Sequence, residues 1–211
     1  MNLLVPKTPG QSKYLEVLKD IRKPLVICTG PAGSGKTHFA CQEAVESLSR
    51  RRVDRVVLTR PIVSVDEELG YLPGTMERKM DPWTRPMFDI LANYYSNSKI
   101  KQMVKDRVIE ISPLAYMRGR TFEGCFVVAD EMQNSTLNQM KMLLTRIGDD
   151  TKMVVTGDAE QCDLGEGIGG LSDLLPRLDD KELEYLEHVI LEADDIQRHP
   201  AVKEVLELYL Y

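Results

Sequence analysis

The chain has 211 residues, of which 43% are hydrophobic and 28% charged, and its formal net charge is −6. This length suits one α/β domain with a sizeable core and is too short for two such domains. No apolar run approaches the roughly 20 residues that a membrane span needs, and the N-terminal residues lack the apolar core of a secretory signal. We therefore expect a cytoplasmic protein with no membrane partner.

The distribution of charge and the spacing of the cysteines bear on possible partners and on metal or disulfide sites. Residues 158–211 carry 15 acidic and 4 basic side chains, whereas residues 1–157 carry 18 acidic and 23 basic ones. The mildly basic larger part is compatible with a polyanionic partner without requiring one. The cysteines contain no C-x-x-C pair, so we expect neither a zinc site nor a disulfide framework.

Hydrophobic periodicity predicts helices and strands that alternate along the chain. In chain order the expected elements are a helix at 14–21, a strand at 25–30, a helix at 36–50, a strand at 53–60, helices at 87–95 and 99–104, strands at 108–114 and 125–131, a helix at 136–147, a strand at 151–157, a loop at 165–170, a helix at 171–178, a strand at 185–191 and a helix at 199–211. Such alternation is typical of an α/β fold whose mostly parallel sheet has helices on both faces. We expect residues 1–211 to form a single P-loop NTPase domain, with a partly helical insertion at 61–107.

The strongest motif is Gly30-Pro31-Ala32-Gly33-Ser34-Gly35-Lys36-Thr37, a complete G-x-x-x-x-G-K-[ST] sequence between a predicted strand and a predicted helix. Its glycines let backbone N–H groups surround phosphate oxygens, and the following helix turns its positive dipole end toward the same anion. Lys36 is expected to reach the β- and γ-phosphates of ATP, and the Thr37 hydroxyl to bind Mg²⁺. His38 completes the candidate nucleotide-binding segment.

Two acidic residues, Asp130 and Glu131, end another buried strand. The carboxyl ends of parallel strands border the crevice where α/β sheets bind ligands. Asp130 suits the role of holding Mg²⁺ through water, and Glu131 that of a general base that polarises the attacking water. The second acid favours hydrolysis, because a phosphotransferase needs to exclude water from its site.

A third strand end carries Thr156-Gly157-Asp158, followed by Gln161. A polar group at this position can detect the γ-phosphate and transmit its loss to the following loop. Taken alone, the same residues are equally typical of a purely structural turn.

Longer segments resemble the PhoH family, a group of P-loop ATPases related to the first motor domain of superfamily 1 helicases. They occur in the family's order and cover roughly residues 10–205: GPAGSGKT, VVLTRPIV, LGYLPGTMERKMDPWTRP, SPLAYMRGRTFEGCFVVADEMQN, TLNQMKMLLTRIG and KMVVTGDAEQCDL. The resemblance implies a RecA-like core that binds and hydrolyses ATP with Mg²⁺. It also implies assembly into a homo-oligomeric ring, such as a hexamer.

The resemblance extends to individual residues. The segment from Asp130 to Gln133 is similar to the helicase D-E-x-Q motif, and Gly157-Asp158 with Gln161 is similar to G-D-x-x-Q. This implies that Gln133 and Gln161 detect the γ-phosphate and that Gln161 takes part in catalysis. Gln11 resembles the upstream glutamine that reads adenine in such motors, although a simple surface glutamine is an equally good interpretation.

One departure from the resemblance concerns the arginines. A superfamily 1 helicase hydrolyses ATP between two motor domains, and the second domain supplies arginines that this single domain would lack. Because an arginine finger can be worth about 10³ to 10⁵ in rate, we expect a neighbouring copy to supply one. Arg198, at a predicted helix start, is the preferred catalytic candidate, and each candidate is also interpretable as a surface charge. The others are Arg118, Arg120 and Arg146.

Basic and aromatic side chains outside the P-loop admit two interpretations. They either form a phosphate track with stacking platforms for a single strand, or they are solvated helix faces and core residues. The helicase resemblance favours single-stranded RNA as the partner, with single-stranded DNA as the alternative. The residues concerned are Arg50, Arg51, Arg52, Arg55, Arg60, Lys99, Lys101, Lys105, Arg107, Arg118 and Arg120, with Tyr71, Trp83, Tyr94 and Tyr95.

Two other functions are compatible with a P-loop. A small-molecule kinase is disfavoured by Glu131 and by the lack of an obvious arginine-rich lid. A non-motor ATP switch, whose assembly or partner choice responds to nucleotide, would present the same site residues and stays open.

Overall fold

A six-stranded parallel sheet forms the centre of the fold. The computed structural model describes residues 4–61, 88–161, 169–179, 181–197 and 201. Within them the strands pair in the order β3-β2-β4-β5-β1-β6, and every pair is parallel. The strands are β1 (Leu25–Thr29), β2 (Arg55–Arg60), β3 (Ile109–Pro113), β4 (Cys125–Ala129), β5 (Lys152–Gly157) and β6 (Leu186–Ile190). All six predicted strands are therefore present.

Helices connect these strands. They are α1 (Pro9–Lys19), α2 (Lys36–Ser49), α3 (Asn97–Lys105), α4 (Leu137–Leu144) and α5 (Gly170–Leu178), with 3₁₀ helices at Leu114–Met117, Met132–Asn134 and Ala193–Asp195. Residues 88–92 are also helical. Helix α1 begins earlier than predicted, because the Thr8 side chain caps it and a proline follows at its first turn. The predicted helix at 199–211 and most of the insertion at 61–107 lie outside the described residues.

Helices cover both faces of the sheet. On one face α1, α2 and α3 pack over buried side chains such as Phe39, Leu58 and Phe126. On the other, α4, α5 and two of the 3₁₀ helices pack over Phe122 and Val127. The predicted RecA-like α/β fold class, with helices on both faces of a parallel sheet, is confirmed.

Strand order decides where the functional residues meet. Strand β5 lies between β1 and β4, and β2 lies on the other side of β4. Because all of these strands are parallel, their carboxyl ends share one edge of the sheet. The P-loop after β1, the acidic pair after β4 and the end of β5 therefore converge there, together with Arg60 at the end of β2.

A half-buried lysine joins α1 to the opposite edge of the sheet, where the strands begin. At the start of β5, Lys152 Nζ donates to the carbonyls of Val17, Asp20 and Lys23, at 2.8, 2.9 and 2.7 Å. These are carbonyls at or just beyond the C-terminus of α1, which is where a cation is favourable. Burial lowers the pKa of Lys152 to about 8. The contact attaches α1 to the sheet.

Within the described residues, no helix has the length and apolar character needed to span a membrane.

Candidate nucleotide-binding site

The loop between β1 and α2 has the backbone of a phosphate-binding loop. Gly30, Gly33 and Gly35 have φ values of 144°, 88° and 96°, a region that favours glycine. A Cβ on Gly30 would lie 2.2 Å from the carbonyl oxygen of Leu191, so the close packing there also excludes a side chain. The backbone conformation thus favours glycine at all three positions, and at Gly30 the close approach of the segment after β6 requires it as well.

Lys36 lies at the first turn of α2 and folds back over the loop. Its Nζ donates to the carbonyl oxygens of Gly30 and Pro31 at 2.5 and 2.8 Å. Partial burial lowers the pKa of Lys36, and the carboxylates of Asp158 and Glu131 act in the opposite direction. A phosphate group would offer the ammonium a full negative charge in place of neutral carbonyls.

Replacing Lys36 with alanine is expected to weaken ATP binding by about 10- to 150-fold, because a hydrogen bond to a charged group contributes roughly 1.5–3 kcal/mol. Isothermal titration calorimetry with ATP measures the change directly. Lys181→Ala, which removes an exposed lysine after α5, is the matched control and should bind ATP like the parent. Unchanged affinity in Lys36→Ala would contradict the assignment of this loop as the phosphate site.

Gln11 supports the loop from behind. Its side chain is only 3% exposed, and its Nε2 donates to the carbonyls of Ser34 and Asp195 at 3.1 and 3.0 Å. Its Oε1 accepts from Lys7 N at 2.9 Å. The interpretation of Gln11 as a surface residue is therefore wrong. Adenine recognition by Gln11 stays a prediction, and its amide group is already bonded within the chain.

The segment after β6 closes on the same loop. Leu191 N donates to Thr29 O at 2.8 Å, and Gln197 N donates to Gly33 O at 3.1 Å. This contact joins the chain after β6 directly to the phosphate-binding loop. Arg198, the preferred arginine finger, is the next residue and lies outside the described residues, so its role stays a prediction.

Three oxygen-bearing side chains meet at the end of β4. Asp130 is 6% exposed, and its Oδ1 accepts hydrogen bonds from Thr37 Oγ1 at 2.7 Å and from Thr156 Oγ1 at 2.6 Å. Mg²⁺ prefers oxygen ligands and is usually held by one or two protein groups together with phosphates and water. The donor set around Asp130 therefore fits that ion, and metal binding by Thr37 and Asp130 stays a prediction.

Glu131 adopts an uncommon backbone conformation beside this cluster. Its φ is 53°, and it precedes the 3₁₀ helix Met132–Asn134. Its Oε1 lies 3.7 Å from Arg60 Nη2, and its Oε2 accepts from Gln133 Nε2 at 2.6 Å. Gln133 Oε1 in turn accepts from Asp158 N at 3.1 Å. Gln133, only 2% exposed, thus connects the acidic pair to the end of β5.

A cavity of about 320 Å³ unites most of the predicted site. It is lined by Ala32, Gly33, Gly35, Lys36, Thr37, His38, Arg60, Ile90, Asp130, Glu131, Gly157, Asp158 and Gln161. Burial lowers the pKa of His38. Gln11 and Gln133 do not line the cavity and instead lie behind it, where they connect its walls. How each of these residues acts stays a prediction.

A larger cavity, of about 480 Å³, lies at the opposite edge of the sheet. Its walls come from the end of α1, the end of α2 and the start of β5, and they include Lys152 and Arg52. If cavity volume were the only criterion, a ligand would be assigned to this larger cavity. We assign the nucleotide to the smaller cavity because only that one contains the phosphate-binding loop and the acidic pair.

Arg60 is the residue that sequence reasoning placed elsewhere. The sequence allowed either a nucleic-acid phosphate track or a solvated surface charge, and the structure puts its guanidinium at the nucleotide cavity beside Glu131. Arg60 stands at the end of a predicted parallel strand, which is the same feature that identified Asp130 as a site residue. Placing Arg60 at the site also required knowing that β2 and β4 are neighbours in the sheet.

The arginines proposed to act on a neighbouring copy differ in their surroundings. Arg120 forms a two-pronged ion pair with Glu110, with Nη2 to Oε2 at 2.8 Å, and lies over the ring of Phe122. These contacts hold Arg120 within its own chain and disfavour it as a finger. Arg118 is exposed, and Arg146 donates to Thr145 Oγ1 at 3.2 Å. These two keep their candidacy.

The suggested nucleic-acid residues also separate into two groups. Lys99, Lys101, Lys105 and Arg107 are exposed on and just after α3. The aromatic pair Tyr94 and Tyr95 instead packs against the core, and burial raises the pKa of Tyr94 to about 12. Core packing is therefore the better interpretation for these two rings. Tyr71 and Trp83 lie outside the described residues.

The model of the family described as "PhoH-like protein" matches residues 3–210. The chain belongs to this family. The PhoH-like protein of Bacillus subtilis is 42% identical over 204 residues, which are 96% of this chain and 63% of that protein. Protein PhoH of Escherichia coli K12 is 42% identical over 183 residues, or 85% of this chain and 51% of that protein.

The chain thus spans between about half and two thirds of the length of these PhoH-like relatives. Among solved structures it is similar to the Pif1 helicase of Candida albicans, with a TM-score of 0.49 and 14% identity. That alignment covers 97% of this chain and 43% of the helicase. Family membership, together with the P-loop and the acidic pair beside it, supports a nucleotide-binding P-loop domain.

Proposed function

We propose that the chain is a Mg²⁺-dependent ATPase that works as a homo-oligomer, a ring such as a hexamer, and acts on or with single-stranded RNA. The observation that carries the proposal is the presence of Glu131 in the same cavity as Lys36, Thr37 and Asp130. A binding site needs only the last three. A second carboxylate in this cavity can supply the base that hydrolysis requires.

The chain's own residues divide the work. Backbone N–H groups of the loop and Lys36 would bind and orient the phosphates, and Thr37 with Asp130 would hold the metal. Bound Mg²⁺ would neutralise part of the negative charge of the phosphates. Glu131 accepts a proton from the water that attacks the γ-phosphorus, while the bond to the β-phosphate oxygen breaks. The products are ADP and inorganic phosphate.

Gln133 and Gln161 suit the detection of the γ-phosphate in different ways. Gln161 is exposed and lines the cavity, so it can contact the nucleotide directly. Gln133 is buried and bonds both Glu131 and the backbone of Asp158. It therefore transmits a change at one strand end to the next, as a two-state element requires.

The oligomer supplies the missing arginine in this proposal. Arg198, Arg118 and Arg146 are the candidates, and Arg198 is preferred because it precedes His199-Pro200 at a predicted helix start. Turnover per chain that rises with protein concentration would support a shared site. Replacing each arginine in turn should identify one change that lowers turnover and leaves ATP affinity intact. Equal turnover at all concentrations and in all three variants would contradict the finger.

Binding of single-stranded RNA is expected to weaken steeply with salt. Four exposed basic residues on and after α3, namely Lys99, Lys101, Lys105 and Arg107, give a slope of about −3 in log K against log salt if all contact phosphates. Fluorescence anisotropy at several salt concentrations measures that slope. A double variant, Lys99→Ala with Lys101→Ala, should reduce it by about 1.4. Absent or salt-insensitive binding would contradict the nucleic-acid part of the proposal.

A non-motor switch is the second candidate, and one observation favours it. Both carboxylate oxygens of Glu131 have a cationic or amide partner, so the base is engaged within the chain. A protein that mainly binds ATP and changes its assembly would keep this arrangement. Turnover far below the roughly 1 to 10³ per second of typical enzymes, unaffected by RNA or DNA, would favour the switch.

A further inference from the structure

Arg60 and Glu131 form an ion pair across two neighbouring strand ends. Arg60 ends β2, Glu131 follows β4, and Nη2 lies 3.7 Å from Oε1. The side chains are 33% and 38% exposed, so solvent and other ions reach both. Because β2 and β4 pair directly, the contact is set by the sheet itself.

The pair places a restraint on the proposed catalytic base. Glu131 Oε2 is already bonded by Gln133 Nε2, and Arg60 faces the other oxygen. A general base must present a free oxygen within hydrogen-bond reach of the water it activates. Turning Glu131 away from Arg60, toward a water elsewhere in the cavity, separates the two opposite charges.

The weak contact between Arg60 and Glu131 favours transfer of the guanidinium from the carboxylate to the phosphate groups of a nucleic-acid backbone. A guanidinium binds phosphate through two parallel hydrogen bonds, which suits it better than a single long contact to a carboxylate. The Arg60–Glu131 contact is a single one at 3.7 Å, beyond ordinary hydrogen-bond distance. Pro61 follows Arg60 and favours an extended backbone there, which fixes where the side chain begins.

We infer that Arg60 is a positioning residue that holds Glu131 back from the attacking water until the phosphate backbone of a single-stranded nucleic acid draws the guanidinium away. This inference rests on the proposed function and adds to it how partner binding would control hydrolysis. It assigns Arg60 to regulation of the site and does not make it a ligand of the reacting phosphate.

The test compares the parent with Arg60→Ala and Arg60→Lys, measuring ATP turnover with and without single-stranded oligouridylate. Arg60→Ala should raise kcat without RNA by about two- to five-fold, the scale of a partly exposed ion pair, with the KM for ATP unchanged. Its stimulation by RNA should fall by the same factor. Arg60→Lys, which keeps the positive charge, should have a kcat and an RNA stimulation between those of the parent and those of Arg60→Ala.

Controls separate this role from general effects. Arg22→Ala removes an arginine from another ion pair, one with Asp20, outside the nucleotide cavity, and should behave like the parent. Heparin and the corresponding single-stranded DNA, used in place of RNA, show whether any polyanion relieves the restraint or only a nucleic acid. Heparin that stimulates as strongly as RNA would contradict a nucleic acid as the specific partner.

Two results would overturn the inference. Lower kcat in Arg60→Ala at unchanged ATP affinity would mean that Arg60 stabilises the reacting phosphate, and equal kcat and equal stimulation in all variants would mean that it restrains nothing. Absence of turnover from every protein, the parent included, would instead refute the proposed ATPase activity, and this inference with it.

Discussion

Replacing Glu131 with glutamine is expected to lower ATP turnover by about 10²- to 10⁴-fold, the usual contribution of a general base, while ATP still binds. Glutamine keeps the shape of the side chain and an oxygen that can accept from Gln133 Nε2, so the local hydrogen bond survives. What it loses is the ability to take a proton from water. Steady-state phosphate release gives kcat, and calorimetric titration gives the ATP affinity.

The same measurements on Glu184→Gln provide the matched control. Glu184 is an exposed acid between α5 and β6, and its replacement should change neither quantity. Loss of ATP affinity in Glu131→Gln would show that Glu131 serves binding. Turnover close to that of the parent would place the base elsewhere and would favour the nucleotide-gated switch over the ATPase.

The sequence predicted the parts of the fold that depend on local pattern. Short and largely apolar segments marked all six strands, because buried parallel strands need such segments. The helix after β1 was equally clear, because the P-loop motif fixes its first residue as Lys36. Helix α4 ends at Leu144, three residues before the predicted end, and the next residues turn back toward the sheet edge.

Contacts between residues far apart in the sequence could not be predicted from hydrophobic periodicity. The sequence allowed Gln11 to be either a surface residue or an adenine contact. In the structure Gln11 is buried and bonds Ser34, which lies 23 positions later in the sequence. Arg60 meets Glu131 only because β2 and β4 are neighbours, although 71 residues separate them. No periodicity in one sequence specifies strand order, so such pairings depend on tertiary structure.

Replacing Arg52 with alanine is expected to lower the free energy of unfolding by about 3 kcal/mol, because it leaves a buried carboxylate without its cation. Glu43 lies inside α2 with its side chain 0% exposed, and Arg52 Nη2 is 2.7 Å from its Oε1. Glu43 Oε2 has no hydrogen-bond partner among the described residues. The arginine itself is 35% exposed, which places the loss at the lower end for a broken buried pair. Urea unfolding followed by circular dichroism measures it.

Arg50 offers a matched control two residues away. It pairs with Glu46 on the outside of the same helix, its side chain is 66% exposed, and Arg50→Ala should cost no more than about 0.5 kcal/mol. Adding Glu43→Gln to Arg52→Ala should recover part of the lost stability, because the neutral amide removes the uncompensated charge. A cost for Arg52→Ala as small as that for Arg50→Ala would show that Glu43 is neutralised by other means.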